Sequence, residues 1–279
     1  MSQSTTSNAT RLTRSLVLAV ACIVMVFPVY WMILASFRSP ETIYSDVWPI
    51  PQAPSIENYR LISNYVNYAY GMYINSIIVA TSVMVVTMFI STFVAYAITR
   101  FRFKGRGLLT IALLFSYMFP PLLTLIPLYV IFVHMGIVGT LSSLVIAELA
   151  ITLPLGIWLL WGFFKSMPFE LEDAAMIDGC SRLGAFIRII LPLAKPGLMT
   201  VAIFSFLIAW NGFTAASILI TTDGNKTLPV GLQQIVSNMT ANWGVAMAAC
   251  AAIVLPLLIA LLALNRYFIQ GLVGSGLKG

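Results

Sequence analysis

The amino-acid sequence predicts an all-α integral membrane protein with six membrane-spanning helices, and two observations carry this prediction. First, 60% of the 279 residues are hydrophobic and only 9% are charged, and the mean hydropathy is +0.96. This composition excludes an ordinary water-soluble globule. Second, the apolar residues form continuous runs of about 20 residues or more, the length that a helix needs to cross roughly 30 Å of hydrocarbon. The runs lack the alternation of a membrane β-barrel, which favours helices.

Six runs are long enough to span a bilayer. The first is too long for the apolar part of a signal peptide and has no clear small-residue cleavage site, so it is predicted to be retained. The predicted spans are 15–37, 73–99, 107–132, 141–164, 197–220 and 243–269. They leave tails at 1–14 and 270–279, a Pro-rich connection at 38–72 that is predicted to be irregular, and a second long connection at 165–195.

The basic residues fall mainly on one side of the predicted bundle. Fifteen Lys and Arg exceed nine Asp and Glu, giving a net charge of +6. Twelve of the fifteen lie in the N-terminal tail, in the connections after spans two and four, and at the C-terminal end, where they are Arg266 and Lys278. The positive-inside rule places these regions in the cytoplasm together with both termini. Attraction to anionic lipid headgroups accounts for the surplus. No basic cluster lies in a soluble, aromatic-bearing module of the kind that reads bases, so no nucleic-acid partner is predicted.

Several classes of bound group are excluded by the residues present. The cysteines Cys22, Cys180 and Cys250 lie far apart without CxxC spacing, and His134 is the single histidine, so the sequence predicts no disulfide framework and no histidine-based metal site. The phosphate-binding pattern GxxxxGK[ST] does not occur, so the chain does not bind ATP in that way. The sequence therefore predicts no metal or cofactor bound by this chain.

The connection 165–195 is predicted to form a helix-turn-helix. After Pro168, three acids fall in a first helical turn, where they complement the helix dipole: Glu170, Glu172 and Asp173. Gly179 suits the following turn, and Asp178 or Ser181 can cap the second helix. Apolar residues then repeat at helical spacing up to Pro192: Leu183, Phe186, Ile187 and Ile190. From this pattern alone, an amphipathic connector resting on lipid headgroups remains an alternative.

The residues of this connection closely resemble the EAA loop of ABC-importer permeases. The segment EDAAMIDG at 172–179 is followed, at the spacing of that family, by Ile189 and by Leu191-Pro192. One departure is Asp173, which stands where the family usually has the Glu of E-A-A and keeps the carboxylate one methylene shorter. The resemblance implies a coupling helix that docks on an ATPase. Its residues here are Glu172, Asp173, Ala174, Ala175, Asp178 and Gly179.

Further motifs resemble the carbohydrate-uptake, maltose-type branch of these inner-membrane permeases along nearly the whole chain. They include Asn75-Ser76, Ala95-Tyr96-Ala97, Arg100-Phe101-Arg102-Phe103, Leu153-Pro154, Trp210-Asn211, Thr227-Leu228-Pro229-Val230-Gly231 and Arg266-Tyr267-Phe268. The resemblance implies a multi-pass inner-membrane subunit, not itself an enzyme, of an importer for a sugar such as a disaccharide or oligosaccharide. It implies four partners: a second permease, two ATP-binding subunits that use ATP and Mg, and an extracytoplasmic solute-binding protein.

The resemblance also gives a role to the C-terminal residues Leu277, Lys278 and Gly279, which match the family tail that reaches into the ATPase dimer. On the sequence itself, a frayed terminus is an equal alternative.

Two polar positions inside the predicted spans are candidates for the solute pathway. An ionised carboxylate in hydrocarbon costs about 2.5 to 3.5 kcal/mol, so Glu148 in span four should face a partner or water. In span five, Trp210 and Asn211 offer an aromatic face and an amide, which suit sugar rings. Structural hydrogen bonding between helices, or a protonated position in the core, is the alternative at these sites.

Two other functions remain open. One is a permease of the same superfamily for a polyol, a glycerol phosphate or another small solute. The other is a self-sufficient secondary transporter or channel, which predicts an inverted repeat with acidic residues in corresponding spans. The sequence shows no such repeat, and Glu148 is the one carboxylate in a predicted span.

Overall fold

The computed structural model describes residues 8–39, 41–46, 48–63, 66–238, 243–255 and 258, and the regular structure within these ranges is helical throughout. The first seven helices are α1 (Asn8–Ser36), α2 (Glu57–Ser63), α3 (Val66–Arg100), α4 (Arg106–Met118), α5 (Pro121–Met135), α6 (Leu141–Lys165) and α7 (Glu170–Ile177). They are followed by α8 (Arg182–Ala185), a π-helical segment (Phe186–Ile190), α9 (Leu191–Leu193), α10 (Lys195–Trp210), α11 (Phe213–Leu219), α12 (Leu228–Asn238) and α13 (Trp243–Leu255). The predicted all-helical fold is confirmed.

Three helices are each long and apolar enough to cross a membrane. They are Thr13–Ser36 within α1, Tyr70–Arg100 within α3, and α6, and they overlap the predicted spans 15–37, 73–99 and 141–164. Two bent pairs can each supply one further span, α4 with α5 and Arg182–Leu193 with α10, which makes up to five in the described part of the chain. About half of the predicted sixth span, 243–269, lies outside the described residues, and the described part consists of α13 and residue 258.

The structure corrects the prediction of one continuous helix over 107–132. The axes of α4 and α5 meet at 100°, and the chain between them is extended at Phe119 (φ −73°, ψ 131°). A proline disfavours the helical conformation in the residue before it, so Pro120 ends α4. Pro121 then occupies the first turn of α5, where the missing amide hydrogen costs no helical bond.

The predicted span 197–220 is also interrupted. Helix α10 ends at Trp210 and α11 begins at Phe213, with Asn211 and Gly212 between them. The Phe213 amide donates to the Asn211 carbonyl at 2.7 Å, and Gly212 has φ −63° and ψ 68°. These angles form an inverse γ-turn, which halts the helical hydrogen-bond pattern. The break adjoins two of the candidate pathway residues, Trp210 and Asn211.

The described chain divides into two compact units, and the second contains residues 67–233. In this unit, α3, α6, the π-helical segment and α10 share an apolar core. Its fully buried members are Ala95, Tyr96, Ile98, Ile157, Leu160, Phe164, Phe186, Ile190, Ala194 and Val201. Small residues let α3 and α6 approach closely, since a Cβ added at Gly156 would lie 2.6 Å from the Ser91 hydroxyl. The core thus joins the end of α3 to the helices of the connection 165–195.

Two of the sequence motifs meet near the start of α3 in the same unit. The Asn75 amide donates to the carbonyls of Gly224 and Lys226 at 2.9 and 3.0 Å. The Ser76 hydroxyl accepts from the Leu228 amide at 2.8 Å. These bonds satisfy backbone groups in the connection before α12, which explains why polar residues open a membrane span.

The first unit contains residues up to 66 and residues 234–255. The connection 38–72, predicted to be irregular, contains α2 and the first turns of α3. Within the described part of this connection, buried Arg38 pairs with Asp46 at 3.7 Å, donates to the Trp48 carbonyl and lies over the Trp31 ring at 4.6 Å. The Asn58 amide also donates to the Arg38 carbonyl at 2.6 Å. A local pattern could not reveal these contacts because they join residues that are not neighbours in the chain, and one of them, Trp31, lies in α1.

Candidate functional site

The connection 165–195 forms the predicted helix-turn-helix. Helix α7 begins at Glu170, two residues after Pro168, and carries acids in its first turn. The Ser181 hydroxyl accepts from the Gly184 amide at 3.1 Å and so caps α8, while Asp178 is the C-terminal cap of α7. The second arm continues through the π-helical segment and α9, and the segment Arg182–Leu193 meets α10 at 71°.

Gly179 closes the turn between the two arms. Its φ is +86°, and the Cys180 and Gly179 amides donate to the carbonyls of Ala175 and Met176 at 3.0 and 3.1 Å. This pair of bonds is the Schellman motif, which requires a left-handed residue after the helix. Nothing lies within 4 Å of a Cβ built at Gly179, so the backbone angle, and not lack of room, selects glycine.

The two adjacent acids of α7 face opposite ways. The Glu172 side chain is 8% exposed and is engaged within the chain, because its Oε1 pairs with Arg100 Nε at 2.6 Å and its Oε2 accepts from the Tyr96 hydroxyl at 2.9 Å. Asp173 is exposed. The sequence assigned both acids to contact with an ATPase. Of these two, Asp173 has a carboxylate that is free to reach another protein, whereas the Glu172 carboxylate is held within the chain.

Arg100, at the last residue of α3, is enclosed on several sides. Its side chain is 1% exposed, its Nη2 donates to the Met167 carbonyl at 3.2 Å, and its guanidinium lies 4.2 Å from the Phe169 ring centre. Removing one partner of such a buried pair typically costs about 3 to 5 kcal/mol, because the remaining charge is left uncompensated. The contacts therefore hold the start of α7 and the preceding segment against α3.

Tyr96 links this ion pair to the apolar core. Its ring centre lies 4.3 Å from that of Phe186 and 6.0 Å from that of Phe164. Sequence reasoning quoted Tyr96 and Arg100 as family motifs but gave them no role. Their spacing of four residues places both on one face of α3, and a cation there could have indicated a buried acidic partner.

The outward side of α7 combines small, apolar and acidic residues. Ala175 is buried, whereas Ala174 and Asp178 are exposed, and Ile177 is 85% exposed. Beyond the turn, Leu183 is also exposed. We call the exposed residues Asp173, Ala174, Ile177 and Asp178 the docking face. Exposed apolar residues with an acidic rim suit contact with a partner protein.

The candidate pathway residues differ in their surroundings. Glu148 on α6 is 2% exposed, and a Cβ built at Gly212 would overlap its Oε1. The Glu148 carboxyl therefore occupies the space that a side chain at the α10–α11 break would fill. The absence of a side chain at Gly212 is what lets a polar group approach the interrupted helix here.

Trp210 and Asn211 differ from each other in burial. Trp210 is buried, with its ring stacked on Phe206 at 5.7 Å and edge-on to Tyr73 at 5.7 Å. Asn211 is exposed, and its amide donates to the Leu207 carbonyl of its own helix at 2.8 Å. Packing therefore accounts for Trp210, and the end of α10 accounts for the amide of Asn211.

Two other predictions concern the tail and bound metals. Leu277, Lys278 and Gly279 lie outside the described residues. Within the part of the chain that the structure describes, no group of three or more His, Cys, Asp or Glu is placed to hold a metal ion.

Comparisons with known proteins agree along most of the chain. A family model described as the inner membrane component of binding-protein-dependent transport systems matches residues 88–274. The trehalose/maltose transport system permease protein MalG of Thermococcus litoralis is 36% identical over 268 residues, 95% of each chain. The diacetylchitobiose uptake system permease protein DasC of Streptomyces coelicolor is 33% identical over 257 residues, 91% of this chain and 92% of the relative.

The fold also resembles a chain in the crystal structure of a bacterial ABC transporter involved in the import of the acidic polysaccharide alginate. The TM-score is 0.80 at 20% sequence identity, and the match covers 94% of this chain and 99% of the other. This likeness shows a shared fold.

Proposed function

The chain belongs to the family of inner-membrane components of binding-protein-dependent transport systems, and on that premise we propose that it forms half of the translocation pathway of an ATP-driven sugar importer. The family works with a solute-binding protein and with ATPase subunits, and this chain is its multi-pass membrane permease. The single observation that supports coupling through the connection 165–195 is the docking face, which presents exposed Ile177 beside two free carboxylates.

The chemistry of the docking face favours an ATPase subunit with an apolar socket and a basic rim. Ala174 lets the backbone of the ATPase subunit approach closely, and Ile177 can fill an apolar pocket in that subunit. Asp173 and Asp178 can each form charge-assisted hydrogen bonds with Arg or Lys around that pocket. In this assignment, ATP and Mg are bound by the ATPase subunits. The membrane chain responds only to the movement of those subunits.

The remaining parts of the assembly follow from the family resemblance. A second, different permease subunit supplies the other half of the pathway, and a pair of ATPase subunits binds on the cytoplasmic side. The C-terminal residues Leu277, Lys278 and Gly279 extend into the ATPase dimer. The chain has six spans with both termini in the cytoplasm.

The transported solute is a disaccharide or oligosaccharide in this proposal. Two relatives that match nine-tenths of the chain are named for trehalose or maltose and for diacetylchitobiose. Carbohydrate hydroxyls need protein donors and acceptors in place of water, at about 1 to 3 kcal/mol for each unpaired group. A pathway with Glu148 beside an interrupted helix meets this need better than an apolar tube does.

The class of solute is tested on the solute-binding protein that works with this chain. A ligand at about 100 times its Kd stabilises the folded protein by about 2.7 kcal/mol, which raises Tm by roughly 5 to 10 °C. We expect such a shift with one of a panel of disaccharides and oligosaccharides. Sorbitol and glycerol 3-phosphate serve as controls. A shift with either control and with no sugar would replace the sugar by a polyol or phosphate ester.

The first prediction concerns topology. In a chain without its native cysteines, Asp223→Cys should react with an impermeant thiol reagent in intact cells, and Phe103→Cys should not, because the basic connections face the cytoplasm. Both positions are exposed in the structure, so burial does not decide the result. Permeabilised cells should label both. Labelling of Phe103→Cys alone in intact cells would invert the orientation.

The second prediction concerns the pathway. Glu148→Leu removes charge and hydrogen bonding and should slow uptake by about tenfold or more, whereas Glu148→Gln keeps the shape and hydrogen bonds and should retain most of the uptake. Gly212→Ala should act like Glu148→Leu, because its Cβ would overlap the carboxyl. Uptake is measured per assembled complex.

The control for the pathway prediction is Gly162→Ala on α6, where an added Cβ meets nothing within 4 Å. This variant should transport normally. If Glu148→Leu instead lowers only the amount or the thermal stability of the complex, with uptake per complex near wild type, Glu148 is a structural residue and leaves the pathway.

A further inference from the structure

We infer that Tyr96, Arg100 and Glu172 form a buried clamp that makes α3 and α7 move as one body, so that movement of α7 is passed directly to α3, the second membrane span. This inference rests on the proposed docking of an ATPase on α7. It concerns a separate question, namely which membrane helix follows the movement. The covalent neighbours of the connection 165–195 are α6 and α10, and neither of them carries a residue of the clamp.

The clamp binds α7 through both oxygens of the Glu172 carboxylate. Glu172 Oε1 lies 2.6 Å from Arg100 Nε, and Glu172 Oε2 lies 2.9 Å from the Tyr96 hydroxyl. The two groups that contact the carboxylate, an ion-pair partner and a hydroxyl donor, are one helical turn apart on α3, so they fix it in two directions. Rotation or sliding of α7 relative to α3 would break both contacts at once.

Arg100 also holds the segment that leads into α7. The Met167 carbonyl accepts from its Nη2 at 3.2 Å, and the Phe169 ring lies under its guanidinium at 4.2 Å. The four residues between α6 and α7 are therefore not a free hinge on the side that faces α3.

Burial explains why the clamp is stiff. The side chains of Arg100 and Glu172 are 1% and 8% exposed, so water cannot replace their contacts while they separate. The Tyr96 ring is packed against Phe164 and Phe186, which belong to the core shared by α3, α6 and the second arm. A push on the docking face is thus passed to the end of α3 through rigid contacts. Tyr96, Arg100 and Glu172 are positioning residues in this scheme.

The test measures the distance between α3 and α7 in the complete importer. Spin labels are placed at Leu171 and Phe89, both exposed, in a chain whose native cysteines are replaced. The complex with its ATPase and second permease subunits is studied in lipid nanodiscs, without nucleotide and with ADP–vanadate. With the clamp intact, we expect one narrow distance distribution that is the same in both states.

Two variants then weaken the clamp in steps. Glu172→Gln removes the charge but keeps the shape, and we expect its distribution to broaden and its peak to shift between the two nucleotide states. Tyr96→Phe removes one hydrogen bond and should broaden the distribution less. A clamp that only stabilised the fold would lower the yield of complex without creating a nucleotide-dependent shift.

Each failure has its own signature. Both variants leave Asp173, Ala174 and Ile177 unchanged, so the ATPase subunits should co-purify as with the parent chain. Distributions in both variants that match the narrow parent distribution, with the ATPase bound, would overturn the clamp. A large nucleotide-dependent shift in the parent itself would overturn it too. Loss of the ATPase on docking-face substitution is measured separately and bears on docking alone.

Discussion

Gly179→Val is expected to abolish coupled uptake while the chain is still inserted in the membrane. The residue has φ +86°, a region that costs an ordinary L residue about 1 to 2 kcal/mol and a β-branched one more. That penalty lowers the ratio of correctly turned to incorrectly turned chains roughly five- to thirtyfold or beyond. The Schellman bonds at the end of α7 are lost with the turn. The orientation of α7 then changes, so the docking face no longer faces the ATPase. Uptake and co-purified ATPase are measured on equal amounts of membrane protein.

Gly179→Asn is the matched control for this prediction. Asparagine adopts the left-handed region more readily than valine, and nothing lies within 4 Å of a Cβ at this position. We therefore expect the asparagine variant to keep much of the uptake. Equal losses in Gly179→Asn and Gly179→Val would mean that contact with a partner, and not the backbone angle, selects glycine here.

Asp173→Arg is expected to release the ATPase subunits. Placing a cation opposite a basic socket costs several kcal/mol, and a loss of about 2 kcal/mol already weakens association roughly thirtyfold. Asp173 is exposed and its side chain takes no part in the clamp, so the helix-turn-helix should stay folded. The measurement is the amount of ATPase that co-purifies with the chain. Glu57→Lys on α2 reverses a carboxylate that is 47% exposed and should leave the association unchanged.

Glu172→Arg separates the two acids of α7. In the structure this substitution puts two cations together in a buried site with Arg100, so it should reduce the amount of folded chain. Asp173→Arg should not. If Asp173→Arg leaves both ATPase association and uptake at wild-type levels, the connection 165–195 reverts to an amphipathic connector on the headgroups.

The sequence was informative where the determining contacts are local. The helix-turn-helix at 165–195 depends on Pro168, the acids of a first turn, Gly179 and a serine cap, all within one short stretch of chain. The apolar runs of α1, α3 and α6 are likewise visible because hydrocarbon thickness alone sets their length. These parts of the prediction needed no knowledge of distant residues.

The sequence was less informative where a distant residue decides the outcome. Glu172 and Asp173 look equivalent in sequence, but successive helical residues point about 100° apart, so one of them can be buried while the other is exposed. Arg100, far away along the chain, selects Glu172. The interruption at Gly212 also involves a distant residue, because the Glu148 carboxyl of α6 occupies the space beside it. Pro120 and Pro121 were a visible local signal for the break in span three, which hydropathy alone overlooked.

The most direct test of the docking of an ATPase on α7 is a photocrosslinking experiment in intact cells. A benzoylphenylalanine residue is placed at Ile177, which is 85% exposed on the docking face, or at Ile50, which is 70% exposed in the connection 38–72. After illumination, we expect position 177 to give a covalent product with the ATPase subunit, identified by mass spectrometry, and position 50 to give none. Products at position 177 with lipid alone, in cells that contain the assembled importer, would contradict docking through this helix.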